Sequence, residues 1–329
     1  MRKSQKILIG LMSAVLLAGG MTACSKSGSE NTQKTKPAQS ANPEQTVEKS
    51  ATPSGDETTL DHISYTLGYS VGHNITAELK GQGVWLENAE LLEGFKAGMT
   101  GQTGKFTDAK MKTIMRDFQQ QIMQKQQAKQ VAGILKNAET LLNNSKTPFV
   151  GPKDAKVAVI EFFDYNCLFC SKMALVMEKV MDGNPNVKYL FKEFPIFGQR
   201  WKTSQYAAEM GIAVYVLKGA DAYLKYHNAV FATGDDEGKL TMAEIKKAAE
   251  NAGVNLSEAE RTIKDKNISD EIRDDLTLGL SKLGIQGTPM IIVMPTTGAN
   301  AGNTSVIPGY VSQKTIQQAI DKAQNKTSE

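Results

Sequence analysis

Residues 157–170, VAVIEFFDYNCLFC, constrain this chain more tightly than any other stretch. VAVIEFFDY (157–165) is a short, almost continuous apolar run rich in Val, Ile and Phe, as expected of a strand buried on both faces of a sheet. CLFCSKMALVMEKVM follows directly, with apolar residues at helical spacing. Cys167 therefore falls where a strand gives way to a helix, and Cys170 lies one turn further in. The unpaired N–H groups and macrodipole at a helix N-terminus favour an anion, so the first thiol is expected to be acidic and nucleophilic. Cys170 should be more shielded, placed to attack a mixed disulfide formed at Cys167.

Other uses of the pair fit less well. A zinc centre needs four ligands, and His62, His73 and His227 offer no second ligand pair at suitable spacing. No metal and no cofactor are expected. A purely structural disulfide across so short a loop removes little freedom from the unfolded chain. The pair reads as reactive.

The beginning of the chain is a targeting segment. Arg2, Lys3 and Lys6 precede an apolar and small-residue run from Ile7 to Met21, the layout of a secretory signal. The run is shorter than the roughly 20 residues that a spanning helix requires. Its end, Met21-Thr22-Ala23-Cys24, resembles the lipobox of bacterial lipoproteins, with Met where Leu is usual. The resemblance implies acylation of Cys24 after removal of residues 1–23, and Ser25 resembles an outer-membrane sorting signal. Only Cys167 and Cys170 then remain as thiols, in an oxidising compartment.

Of the 38 basic residues three lie in that segment, against none of the 35 acidic ones, so the remainder is balanced at 35 each. Nothing in that balance calls for nucleic acid or another polyanion. Residues 24–57 have almost no large apolar side chain after the cysteine and are expected to be a disordered tether. Extended at about 3.3 Å per residue, it would reach roughly 100 Å.

From residue 58 the pattern becomes helical. Leu60, Ile63, Leu67, Val71, Ile75 and Leu79 mark one helix, and Leu91, Leu92 and Phe95 a second. Met111, Ile114, Met115, Phe118, Ile122 and Met123 form the apolar stripe of a long third helix, opposite a solvated Gln- and Lys-rich face. The methionines read as packing residues. SYTLGYSVGHNI, LLEGFKAGM and FQQQIMQKQQ together resemble the amino-terminal domain of FKBP-type prolyl isomerases of the macrophage-infectivity-potentiator and FkpA-like kind. The likeness, over about residues 58–130, implies a homodimer built on intertwined helices, with a long helix carrying each following domain. No FKBP catalytic domain follows, so prolyl isomerase activity is not implied.

Beyond the cysteines, VKYLFKEFP reads as a second strand. Helical patterns broken by Gly or polar residues then run to about residue 284: SQYAAEMGIAVYVL, AYLKYHNAVFAT, TMAEIKKAAENAG and SDEIRDDLTLGLSKLG. TPMIIVMP, TSVIPGY and SQKTIQQAIDKA close the chain as strand, strand and helix. The expected fold is α/β, a thioredoxin fold with a helical insertion at about 199–284. It occupies 138–329 and is preceded by an all-α dimerisation domain with a long connecting helix at 58–137.

EFFDYNCLFC, FKEFPIFG, LGIQGTPMIIV and VIPGYVS resemble, in order and spacing, the DsbA-like branch of periplasmic thiol–disulfide oxidoreductases. The resemblance implies a cis bond at Thr288-Pro289 beside the cysteines, where the loop backbone binds an extended substrate. Proline is the residue expected at a cis bond. Glu161 matches the buried acid that assists proton transfer at the second cysteine. Thr288 is closer to isomerase-type relatives than to the strongest oxidants, which usually carry Val. Leu168 and Phe169 replace the Pro and His common between the cysteines, which points to a less acidic Cys167, a more reducing couple and an apolar docking surface. His227 reads as a packing or helix-surface residue rather than a base.

The activity implied is thiol–disulfide interchange, with isomerisation of wrongly paired disulfides favoured by dimerisation and Thr288. Oxidation of new substrates by a DsbA-type dithiol oxidase is the alternative within the same chemistry, and a non-catalytic dimeric chaperone with a structural CxxC the alternative outside it. The partners implied are exported cysteine-containing proteins, a DsbB- or DsbD-like redox partner in the inner membrane, and a lipid anchor that holds the protein in the periplasm at the outer membrane.

Overall fold

The computed structural model describes residues 59–325; the signal segment, Cys24 and the tether lie outside the described residues. The chain divides into two compact units, the first ending at Asp108. Helix α1 (Leu60–Gly81) starts on Thr59, whose side chain accepts from the His62 N–H at 3.3 Å. Helix α2 (Asn88–Thr100) stops at Gly101, which takes the left-handed conformation at φ 66° that a residue with a Cβ adopts only at a cost. Neither helix has a buried residue. Leu60, Tyr65, Leu67, Tyr69, Trp85, Leu92 and Met99 all stand exposed.

Helix α3 (Asp108–Lys136) leads into the second unit, with only Val131 and Ile134 of its length buried. Then come α4 (Ala138–Asn143), β1 (Phe149–Val150), β2 (Val157–Phe163), α5 (Leu168–Gly183) and β3 (Lys188–Glu193). Five helices follow without a strand: α6 (Lys202–Lys218), α7 (Ala220–Ala232), α8 (Met242–Asn251), α9 (Leu256–Asp265) and α10 (Ile268–Thr277), the last running into a π-helical turn over Leu278–Lys282. Strands β4 (Met290–Pro295) and β5 (Ser305–Pro308) and helix α11 (Gln313–Asn325) complete it. This is the interrupted thioredoxin layout expected from the sequence.

Among the described residues the strands form one sheet in the order β1-β3-β2-β4-β5, with β2 and β3 parallel and the other pairs antiparallel. Strand β2 is central, and all seven of its residues are buried, which is why its sequence shows no alternation. Its side chains still divide between the faces. Val157, Val159 and Phe163 pack in one core with Met173, Met177 and Ile320; Ala158, Ile160 and Phe162 pack in another with Ile134, Leu141 and Leu278. Lys192 of β3 is completely buried in the second layer, where it donates to Asp275 Oδ1 at 2.9 Å and Thr147 Oγ1 at 2.6 Å.

Three elements escaped the sequence reading, the first being helix α4, whose six residues are too few for a helical period to show. Strand β1 has two residues, too few for any period, and exists through its pairing with Leu190 and Tyr189. Helix α9 is half charged and buries only Ala259 fully; Asn255 starts it by accepting from the Glu258 N–H.

Candidate active site

Cys167 is the N-cap of α5, at φ −89° and ψ 115°, and its carbonyl accepts from the Cys170 and Ser171 N–H groups. Cys170 lies inside the first turn, and neither cysteine is in a disulfide. The loop before β4 closes over the pair. Its Thr288-Pro289 bond is cis, and the Cys167 thiol donates to the Thr288 carbonyl at 3.3 Å. Pro289 in turn accepts from the Gly309 N–H at 2.8 Å, which joins the loop to the end of β5.

Burial ranks the two sulfurs as position on the helix suggests, but more severely. Cys167 keeps 5% of its surface and Cys170 1%. A helix N-terminus alone would leave the first thiol more open; the Thr288 carbonyl takes up that space. Between the cysteines, Leu168 is half-buried while Phe169 is 51% exposed, with the Lys172 ammonium 5.6 Å from its ring centre.

The electrostatics separate the pair strongly. The Cys167 pKa is lowered to about 6, first by the Cys170 thiol beside its anion, against the cost of burial, and further by the Cys170 and Phe169 N–H groups; the Thr288 hydroxyl has no hydrogen-bond partner. The backbone groups of the helix end act on the anion together with the neighbouring thiol. Cys170 is pushed well above the ordinary thiol value, chiefly by burial.

Glu161 lies in the middle of β2, paired with Phe191 on one side and Ile291 on the other, so it is nowhere near a sheet edge. Burial first, and the charge of Cys167 second, raise its pKa to about 8. Its Oε2 has no hydrogen-bond partner.

His227 is a packing residue. It is buried among Phe163, Tyr165, Phe191, Tyr223 and Phe231, with ring centres 4.9–6.0 Å away, and burial lowers its pKa to about 4. His73 stacks on Tyr69 in α1. Among the described residues no group of His, Cys, Asp and Glu could hold a metal ion.

Three buried polar residues around the cysteines were missing from the sequence reading: Asp164 and Asn166, just before Cys167, and Glu193, at the end of β3. The only available hint was their position at strand ends, facing the helical block. Glu193 accepts from the Tyr223 hydroxyl at 2.8 Å and the Tyr165 hydroxyl at 3.2 Å, and burial pushes its pKa well above the usual carboxyl range.

Comparison with known proteins agrees with this architecture. Residues 143–322 match the thioredoxin family, and residues 60–150 match the domain amino terminal to FKBP-type peptidyl-prolyl isomerase. Among solved structures, BcfH of Salmonella enterica Typhimurium is 34% identical, with a TM-score of 0.56 over 80% of this chain and 98% of its own. The thiol-disulfide exchange protein alpha-DsbA2 from Wolbachia pipientis shares the fold at 22% identity and a TM-score of 0.50, over 59% of this chain and 95% of its own. A curated relative, the Na(+)/H(+) antiporter NhaA 1 of Salinispora arenicola, is 24% identical over 143 residues, 44% of this chain; the chain spans 21% of that relative's length. With a cysteine pair at the start of α5, a cis-proline loop against it and a matching model over more than half its residues, the chain belongs to the thioredoxin family, with a helical insertion in the fold and a preceding segment that matches the domain amino terminal to FKBP-type peptidyl-prolyl isomerase.

Proposed function

We propose that the protein is a thiol–disulfide oxidoreductase acting on exported, cysteine-containing proteins, with disulfide isomerisation as its main activity. The observation that carries this reading is a pair of free thiols at the start of α5, Cys167 as its N-cap under the Thr288 carbonyl and Cys170 buried a turn inside, a division that lowers the first pKa to about 6 and raises the second. At neutral pH the first is an anion and the second keeps its proton.

The Cys167 thiolate attacks one sulfur of a substrate disulfide, forming a mixed disulfide and expelling the other sulfur as a thiolate. That thiolate can attack a second disulfide in the same client. A client thiolate finally displaces Cys167, with no net change in electrons. If no client thiolate arrives, Cys170 attacks the mixed disulfide, so the client gains two electrons and the protein forms the Cys167–Cys170 disulfide. Cys170 must first lose its proton. Glu161 is suited to take it, because the Cys167 charge that helps to raise its pKa is absent from the mixed disulfide. Thr288 and Pro289 line the approach to the nucleophile, Leu168 and Phe169 tune the couple, and the exposed Phe169 ring offers a first contact for apolar client segments.

Replacing Cys167 with Ser should abolish insulin reduction and the reactivation of scrambled ribonuclease. Survival of either activity would place the nucleophile elsewhere. If only suppression of client aggregation is measurable, and the replacement leaves it intact, the protein is a chaperone with a structural CxxC. The low pKa of Cys167 also suits the oxidase alternative, since a stable thiolate makes the disulfide form more oxidising. Alkylation of thiols in intact cells separates the two: Cys167 is trapped reduced in an isomerase and disulfide-bonded in an oxidase.

The exposed apolar residues of α1 and α2 support self-association, with a homodimer as the assembly. Sedimentation equilibrium of the chain without its lipid should give twice the chain mass, and Leu67→Asp should reduce it to one. A monomeric wild type, or an assembly of three, removes the dimer. Removal of residues 1–23, acylation of Cys24, a tether over 24–57, and placement at the periplasmic face of the outer membrane complete the reading, with a dimerisation domain and its long helix over 58–137 and the thioredoxin domain over 138–329. Metabolic labelling with a fatty acid should mark the wild type and spare Cys24→Ser.

A further inference from the structure

Three residues, Asp164, Tyr165 and Asn166, separate the end of β2 from Cys167, and all are buried. Each reaches a different part of the molecule. Asp164 accepts from the Asn166 N–H through Oδ1 and from the Phe197 N–H, beyond β3, through Oδ2, both at 2.9 Å. The Tyr165 hydroxyl donates to Glu193 Oε1 at 3.2 Å, and Tyr223 of α7 donates to the same oxygen at 2.8 Å. The Asn166 side chain donates to Thr203 Oγ1 at 3.1 Å and Ser204 Oγ at 3.0 Å, in the first turn of α6. It accepts from the Gly238 N–H at 3.0 Å, and its carbonyl accepts from the Glu237 N–H at 2.9 Å. Glu237 and Gly238 lie in the α7–α8 loop at positive φ, 50° and 90°. A Cβ at Gly238 would stand 2.4 Å from Trp201 Nε1, so this loop is shaped to pack on the start of α6.

Strand β2 does not need these bonds, because it is already paired along its length with β3 and β4. What they hold is the backbone that enters Cys167. We infer that the helical insertion positions the nucleophile, with Asn166 and Tyr165 as the positioning residues that transmit its hold to Cys167. The groups that favour the anion, namely the Cys170 thiol and the Phe169 and Cys170 N–H groups, belong to α5. The sulfur stays among them only while the N-cap backbone is held in place. The other titratable groups facing the pair, Glu161 and Cys170, lie outside this latch.

The inference rests on Cys167 being the nucleophile, and the test separates the two. Two variants of the full chain weaken the latch without touching the cysteines: Tyr165→Phe, which removes one hydroxyl, and Thr203→Val with Ser204→Ala, which removes both acceptors of the Asn166 amide. For each, the rate of reaction of the reduced protein with a small symmetric disulfide is followed from pH 4 to 9, beside its urea midpoint. Losing about one hydrogen bond to the anion should move the midpoint of the pH profile up by about one unit. The thiolate fraction at pH 5 then falls about tenfold while each thiolate becomes about threefold more nucleophilic, a net loss of about three- to fourfold. At pH 9 the same variant should be about threefold faster than wild type, so the two profiles cross. A wild-type midpoint near 6 that neither variant moves, or a loss by one common factor at every pH with a lower urea midpoint, overturns the latch. A wild-type midpoint near 9 instead overturns the nucleophile itself.

Discussion

Replacing Cys170 with Ala tests which group makes Cys167 acidic. In the structure the first cause is the Cys170 thiol, with the backbone N–H groups behind it. A hydrogen bond to a charged group contributes about 1.5–3 kcal/mol, equivalent to about one to two pKa units. Cys170→Ala should therefore raise Cys167 from about 6 to about 7–8. At pH 6 the thiolate fraction would fall from about one half to between about 1 and 10%. Cys170→Ser keeps a donor at the same place and should leave the value near that of the wild type. Thiolate absorbance at 240 nm against pH reads the titration directly, and with Cys24 also replaced by Ser no second thiol complicates it in either variant. Should Cys170→Ala titrate with the wild type, the helix end alone acidifies Cys167 and the thiol-to-thiolate bond has no role. Should Ala and Ser both rise together, the contribution belongs to sulfur itself rather than to a hydrogen bond.

Three further outcomes are expected. Glu161 has a folded pKa of about 8 against 4.5, so between those values the folded state holds the extra proton and stability falls as pH rises. Urea unfolding of the reduced protein should show Glu161→Gln gaining about 3 kcal/mol on wild type from pH 4.5 to 7, and a constant difference would refute the buried acid. His227 shifts the other way, to about 4 from 6.5, so the unfolded chain binds the proton first and stability is lost as pH falls through that window. His227→Phe, which keeps a ring among the surrounding aromatic residues, should lose less stability between pH 6.5 and 4 than wild type, by about 3 kcal/mol; parallel acid curves would show that the imidazole titrates freely. Gly211 of α6 passes so close to Glu193 that a Cβ would lie 2.6 Å from Oε1, with Tyr226 and the Tyr165 hydroxyl 3.2 and 3.3 Å away. Gly211→Ala should lower stability by about 1–3 kcal/mol in thermal unfolding, and no loss would mean that α6 can move off the sheet at little cost.

Much of the architecture is written locally. The apolar run of β2, the helical spacing after Cys167 and the broken helical stretches each act over a few residues, and each led to an element that is present. The exceptions are instructive. Strand β1 exists only through its partner, and Lys192 looks like a solvated lysine until β3 is placed between β2 and β1, where Asp275 and Thr147 supply its counter-charge and acceptor. Glu161 was found through the family resemblance rather than through its own neighbours in the chain, since a single carboxylate in a strand has no period. Asp164 and Asn166 carried no signal beyond their place at the end of a strand, because the groups that tie them to the rest of the molecule lie 33 to 72 residues away.

The amino-acid order by itself determined that a strand ends in a cysteine-capped helix, and hence which thiol stands first and which lies a turn inside. Only the tertiary structure decided how acidic those thiols are, what covers them and what holds the backbone between strand and helix. The physical reason is range: helical and strand periods are read from neighbours, whereas desolvation of Glu161, the Thr288 carbonyl 121 positions from Cys167 and the grip of α6 on Asn166 depend on segments brought together from across the chain.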